Sequence, residues 1–388
     1  MAWERRKVCE QRLELIKAYI HGIDSMSNLC KLHRVSRKTA YKWFNRYLEL
    51  GEDGLQDLPT IPNKIHYHFS EAQIEKAIKL KLKYRKWGPK KILAKLIEKY
   101  PDQDWPCPTT LYYKFKELHL VTPKRFRRRV PATAPLGELN DCNDTWSMDL
   151  KGNFLTGEGL RCEPLTIVDN YSRYLIRCTH MSRHSAPYIW RELSEAFLEY
   201  GLPKRIRSDN GPPFGSTGSG RLTRLSINLI KAGVTPEWIR PGHPEENGRQ
   251  ERFHQTLKIE AATPPSKSLA QQIKALNEFE KIYNFERPHE SLDMKTPGQV
   301  YTRSSRVWDG ILRPPEYDTE VCQVRKVVQS GCVWYKGKEY YITQALTEEY
   351  IALKEGKNGL EAYYGPIYLG ELSTDNGFKK PKLITRKR

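Results

Sequence analysis

No apolar run in this 388-residue sequence approaches the roughly 18 residues that cross a bilayer. The first residues, Met1-Ala2-Trp3-Glu4-Arg5-Arg6, have no hydrophobic stretch behind their charges, unlike a secretory signal. Cysteine is sparse and scattered, at 9, 30, 107, 142, 162, 178, 322 and 332. No two are spaced Cys-x-x-Cys and none has a histidine at finger spacing, which argues against a structural zinc site. Unpaired thiols suit a reducing compartment. There is no low-complexity tract and no repeat of solenoid period. These absences lead us to expect a soluble, cytoplasmic chain.

Charge is what the sequence has in excess. Its formal net charge is +19, from 65 Lys+Arg against 46 Asp+Glu. Residues 1–137 hold 29 basic and 14 acidic residues, so +15 of that excess lies in the first third. A cationic block of this size suits a polyanionic partner, and nucleic acid is the first choice.

Six segments are expected. Residues 1–60 and 65–121 are all-α units of short helices. Residues 122–137 form a basic, proline-bounded linker containing Lys124, Arg125, Arg127, Arg128 and Arg129. Residues 138–303 alternate strand and helix signals, as an α/β core does. Residues 316–375 carry short β runs separated by Ser330-Gly331, Lys336-Gly337 and Asn358-Gly359, as in a small β barrel or sandwich. Residues 376–388 are a basic tail.

The first unit has a helix-turn-helix pattern. Ser36 is placed to cap a helix in which Ala40, Trp43, Phe44 and Tyr47 face inward. Arg37, Lys38, Tyr41, Lys42 and Arg46 are then left outside, as a helix reading a major groove requires. In the second unit a helix through Ile74, Ala77, Ile78 and Leu82 ends near Trp87-Gly88-Pro89. Lys90 and Lys91 lead into Ile92, Leu93 and Leu96, and Thr109 or Thr110 is expected to cap a last helix.

Three acids stand out in the core. In Thr145-Trp146-Ser147-Met148-Asp149-Leu150 the alternation puts Asp149 on one face with Thr145 and Ser147. A charge set into a core-like strand is costly unless something positive meets it. Lys204 to Gly211 reads as a strand that ends in a turn at Asp209. The segment from His243 to Lys258 reads as a helix entered at Pro244, with Asn247, Glu251, His254 and Lys258 at shared-face spacing. Glu245 and Glu246 fall in its first turn, where the helix dipole gives them a structural role. Three carboxylates from two strands and a helix can hold a pair of Mg²⁺ ions.

The motifs Trp146-Ser147-Met148-Asp149, Ser208-Asp209-Asn210-Gly211-Pro212-Pro213-Phe214 and Pro244-x-x-Asn247-Gly248-x-x-Glu251-Arg252 resemble those of the integrase-core (DDE) transposases of bacterial insertion sequences. Trp87-Gly88-Pro89-Lys90-Lys91 and Asn284-x-x-Arg287-Pro288-His289-x-x-Leu292 are similar to that family too. The resemblance implies an RNase H-like core with Asp149, Asp209 and Glu251 as catalytic metal ligands, two Mg²⁺ ions (Mn²⁺ substituting) and a DNA contact at Lys258. It also implies cutting and joining of double-stranded DNA at terminal inverted repeats, by a homodimer or larger assembly near the nucleoid. One departure is that 41 residues separate Asp209 from Glu251, more than is usual there. Gly215-Ser216-Thr217-Gly218-Ser219-Gly220 is expected to absorb the excess as a flexible loop beside the site. The rival readings are a catalytically silent DNA-binding regulator built on the same scaffold, and a stand-alone nuclease.

Overall fold

The computed structural model describes residues 8–57, 69–121, 139–150, 152–240, 243–356, 359–373 and 377–381. The basic linker with Lys124, Arg125, Arg127, Arg128 and Arg129, and most of the basic tail, lie outside them. The chain forms two compact units, 1–68 and 69–388.

The first unit packs α1 (Val8–Ile20), α2 (Met26–Leu32) and α3 (Arg37–Leu50) around Ile16, Leu29, Ala40, Trp43 and Leu55. Ser25 and Ser36 cap α2 and α3; the Ser36 hydroxyl accepts from the Thr39 amide at 3.1 Å. The sharp break between the two helices follows from these caps, which satisfy amides that a short helix leaves free.

The second unit opens with α4 (Glu71–Lys83), α5 (Pro89–Lys99) and α6 (Pro108–Glu117). Ser70 and Gln73 form a capping box at α4. Two expectations fail here. Leu82 is 45% exposed, because Leu80, Lys81 and Tyr84 take the inward positions. Buried Lys81 donates to the carbonyls of Arg85 and Trp87 at 2.6 and 2.8 Å, tying off the α4–α5 turn. Thr109 and Thr110 lie inside α6 and do not cap it. Pro108, with its fixed φ, starts the helix a turn position earlier and makes Cys107 the cap residue.

A five-stranded mixed sheet is the centre of this unit. It contains β1 (Thr145–Leu150), β4 (Pro164–Asp169), β5 (Leu175–His180), β6 (Arg205–Ser208) and β7 (Thr235–Trp238), in the order β5-β4-β1-β6-β7. A small hairpin, β2 (Phe154–Leu155) and β3 (Arg161–Cys162), lies between β1 and β4 in sequence. β5, β4 and β1 are antiparallel, whereas β1, β6 and β7 are parallel. The parallel pairs are joined by the crossover helices α7 (Ala186–Tyr200) and α8 (Arg224–Lys231).

The alternation in β1 decides what each face meets. Trp146 and Met148 turn with Ile167 and Ile206 towards Leu193, Phe197, Leu225 and Leu229 of α7 and α8. The other face, with Val168, is covered by α9 (Gly248–Ala261) and α10 (Leu269–Phe285) through Phe253, Leu257, Leu276 and Phe279. Asn284, buried in α10, accepts from the Leu175 amide at 2.8 Å and donates to its carbonyl at 2.9 Å. The three-helix part docks on α10 as well. Tyr84 hydrogen-bonds Glu286, Lys83 pairs with Glu286 at 3.5 Å, and Ile282 joins the core around Trp87.

The C-terminal segment is not a closed barrel among the described residues. β8 (Cys322–Lys326), β11 (Tyr350–Gly356), β12 (Gly359–Tyr364), β13 (Ile367–Ser373) and β14 (Gly377–Lys379) form an open sheet in the order β14-β13-β12-β11-β8. A separate hairpin, β9 (Cys332–Tyr335) and β10 (Lys338–Tyr341), turns at Lys336-Gly337, both with positive φ. Closure is not needed to bury the apolar face. Val333, Tyr340 and Ile342 from the hairpin, and Leu222, Ile227 and Ile230 from the core, pack on Ile351, Leu353, Ala362 and Leu369.

The glycine-rich loop is packed, contrary to the expected flexibility. The Ser219 hydroxyl donates to the Ile342 carbonyl at 2.9 Å, and Ser219 is 5% exposed. Gly220 has φ +63, and a Cβ there would meet Leu369 Cδ2 at 2.7 Å. The extra residues between Asp209 and Glu251 therefore seat the C-terminal β segment.

Candidate active site

Asp149 lies in β1, and Asp209 directly follows β6, the strand parallel to β1. Thr145, Trp146 and Ser147 of β1 lie opposite Arg205, Ile206 and Arg207 of β6 in a parallel pair. β6 ends at Ser208 and Asp209 follows it directly. Asp149 turns away from the Trp146–Ile206 core, towards the side that α9 covers.

α9 is tied to this point by one hydroxyl. Thr166, opposite Asp149 in β4 and wholly buried, donates to the Asp149 carbonyl at 3.0 Å. Gln250 Nε2 donates to the same hydroxyl at 2.7 Å, and His254 Nε2 lies 2.8 Å from it. A hydroxyl has one proton, and the carbonyl takes it. His254 must then donate from Nε2, which turns Nδ1 towards the Asp149 carboxylate, 3.8 Å away.

Burial raises the Asp209 pKa, offset in part by the Gly211 amide that donates to it at 3.1 Å. An all-oxygen pair with one desolvated member is the kind of donor set that suits a hard divalent cation such as Mg²⁺. Glu251 lies on α9 one turn before His254 and is exposed. Among the described residues no three His, Cys, Asp or Glu side chains converge closely enough to hold a metal.

The remaining expected residues divide. Arg37, Lys38, Tyr41 and Lys42 are exposed on α3. Arg46 is not on the open face; it lies over Trp43 at 4.7 Å and donates to the Gln56 carbonyl at 2.9 Å. Lys90 pairs with Glu290 at 3.5 Å, and Lys91 lines a cavity beside α9. Lys258 is exposed and Asn247 half-buried. Glu246 is structural, as expected, but through Arg240: it accepts from that residue's amide at 2.7 Å and pairs with its guanidinium.

Sequence reasoning missed the role of Thr166, although period-two alternation places it opposite Asp149. It also missed a concentration of arginine beside α9. Burial, with Arg173, Arg207 and Arg252 nearby, lowers the Arg249 guanidinium to about 10.

The integrase core domain family matches residues 140–244 and again 232–297. A helix-turn-helix domain matches 11–62, and a homeodomain-like domain matches 39–113. An uncharacterized 39.2 kDa protein of insertion element IS476 from Xanthomonas euvesicatoria is 27% identical over 237 residues, 59% of this chain and 64% of its own length. The chain thus spans just under two thirds of that relative. The transposase for transposon Tn552 from Staphylococcus aureus is 25% identical over 280 residues, covering 65% of this chain and 56% of its own. Among solved structures, the HTLV-2 integrase catalytic core domain in complex with magnesium has a TM-score of 0.34 at 16% identity, covering 42% of this chain and 98% of its own.

Proposed function

We propose that this chain is a transposase of the integrase superfamily, like the insertion-element proteins it resembles, and that it cuts and joins DNA at the terminal inverted repeats of a mobile element. The observation that supports the reading is Asp149 on β1, turned towards α9, with His254 Nδ1 3.8 Å from its carboxylate and Thr166 contacting both residues.

Asp149, Asp209 and Glu251 are the residues that would hold divalent metal. Bound there, Mg²⁺ would supply Lewis-acid polarisation of a phosphodiester and an activated water or 3′ hydroxyl. The chain's own part is positioning. Thr166 fixes the strand carrying Asp149 and the ring of His254 together. α9 presents Glu251 towards solvent, where a bound DNA strand and metal would draw it to the aspartates. Lys258, two turns further along and exposed, is placed for a phosphate. The α1–α3 unit presents Arg37, Lys38, Tyr41 and Lys42 as the reading surface. Joining two element ends calls for at least two copies of the chain on DNA.

The test is strand transfer by the full chain on a labelled element-end duplex with a plasmid target. It is run with Mg²⁺, with Mn²⁺ and with EDTA, on the wild type and on Asp149→Asn, Asp209→Asn and Glu251→Gln. Joined product from the wild type alone, and only with metal, supports the proposal. End binding without cleavage or joining in any of them would make the chain a silent regulator instead.

A further inference from the structure

A cavity of about 350 Å³ opens on the flank of α9 turned away from Glu251. At about 100° per residue, Arg249, Arg252 and Thr256 share that flank, whereas Glu251 and Lys258 lie on the other. Arg173 and Arg287 close the cavity from the turn after β4 and from the segment after α10. The one carboxylate lining it is Glu290, which is already paired with Lys90. Four guanidinium groups line the space, and one of them, Arg287, is already paired with Glu260 at 3.0 Å.

The floor supplies a second observation. Asn170, 1% exposed, lines the cavity. Its Oδ1 accepts from the Ser147 hydroxyl at 2.9 Å, but its buried Nδ2 has no hydrogen-bond partner. A buried donor left unsatisfied is costly and calls for an acceptor. The backbone there is already used, since Arg173 and Arg249 both donate to the Asn170 carbonyl, at 2.8 and 3.1 Å. His289, also on the lining, is held below its usual value chiefly by burial, with Arg287, Lys91 and Arg173 adding to the effect.

We propose that this cavity is a phosphate-binding site that clamps one backbone phosphate of bound DNA, on the side of α9 opposite the carboxylates. The guanidinium forks of Arg249 and Arg252 supply charge-assisted donors, Asn170 Nδ2 the donor at depth, and Thr256 a hydroxyl at the rim. The site would hold α9 against the DNA from behind while Glu251 faces the scissile strand. It rests on the DNA-joining reading above, but its test needs no catalysis.

The full chain, wild type and variant, is titrated with a labelled 30-base-pair duplex over a range of salt, without divalent metal. Arg252→Gln removes one fork, and Asn170→Asp puts a carboxylate where the unpartnered amide stands. Each variant is first checked for a native circular-dichroism spectrum and melting profile. Loss of one phosphate contact should flatten the slope of log K against log salt by about 0.9. Both variants should show this, and should lose the rise in melting temperature that inorganic pyrophosphate gives the wild type. If the duplex binds with an unchanged slope in both variants, the assignment is overturned while the DNA-joining reading stands. Stabilisation by pyrophosphate with no duplex binding by the wild type would make the cavity a site for a free anion, overturning the DNA assignment and undermining the wider reading with it.

Discussion

Replacing Thr166 with valine would test whether one hydroxyl couples the strand of Asp149 to α9. Valine keeps the shape, so packing of the wholly buried position is preserved. What is lost is an oxygen that serves Asp149, Gln250 and His254 at 3.0, 2.7 and 2.8 Å. Gln250 is 1% exposed, and its remaining acceptor, the Thr166 carbonyl, is 3.5 Å away. Leaving that amide short of a partner costs about 1–3 kcal/mol, and the other two bonds add about 0.5–1.5 kcal/mol each where water cannot replace them. The His254 side chain keeps 12% of its surface exposed and so has some access to water, and about 2–4 kcal/mol is the expected total. The assay is native-state hydrogen exchange. Phe253 and Leu257 still anchor α9, so the loss should appear as local opening of that helix, with amide protection falling about 30- to 1000-fold. Strand transfer should fall with it, because the His254 ring no longer has its Nε2 acceptor. Thr166→Ser keeps the hydroxyl and should keep most of the protection. Unchanged protection in the valine variant, or an equal loss in the serine one, would refute the coupling.

Other consequences are simpler. Ser36→Ala removes the cap of α3 and should lower the stability of the N-terminal unit by about 1 kcal/mol, read by thermal melting. Arg37→Ala and Lys42→Ala should weaken binding to element-end DNA and leave metal-dependent chemistry intact; unchanged binding in both removes α3 as the reading helix. Glu280 should make stability pH-dependent. Burial raises its carboxyl to about 7, with Arg177 opposing and Glu199 assisting. A raised folded-state pKa means stability is full below about pH 4.5 and is lost as pH rises through about 7. Glu280→Gln should therefore melt higher than the wild type at pH 8, by at most about 3 kcal/mol of unfolding free energy, and equally at pH 4.5; an equal difference at both pH values would exclude this origin. Gly220→Ala places a Cβ against Leu369 at positive φ, and limited proteolysis should show the C-terminal β segment released more readily.

What could be read in the sequence was what short-range periodicity encodes. Alternation over Thr145–Leu150 placed Asp149 on one face, and the structure sets it opposite Thr166 on the side that α9 covers. Ser36 was legible because a cap acts within four residues. The failures are of two kinds. Some are local competitions between signals, as where Pro108 outranks Thr109 and Thr110 as the start of α6. Others depend on distant partners. Arg46 looks free on a helical wheel but is drawn to Trp43 and Gln56. The Gly215–Gly220 run has the composition of a flexible loop, yet it is ordered by Ile342 and Leu369, more than a hundred residues on.

That packing bears on the spacing of the acids. The 41 residues between Asp209 and Glu251 loosen the glutamate's assignment only if the added length lies where it shifts α9. It does not lie there. Gly215 to Gly220 seat the C-terminal sheet, and α8 and β7 then return the chain to the core sheet beside β6. α9 is set independently, by Phe253 and Leu257 in the core and by Gln250 and His254 on Thr166. The longer spacing is thus an insertion that builds a docking surface for the C-terminal segment, and it leaves Glu251 one turn from the residue that faces Asp149.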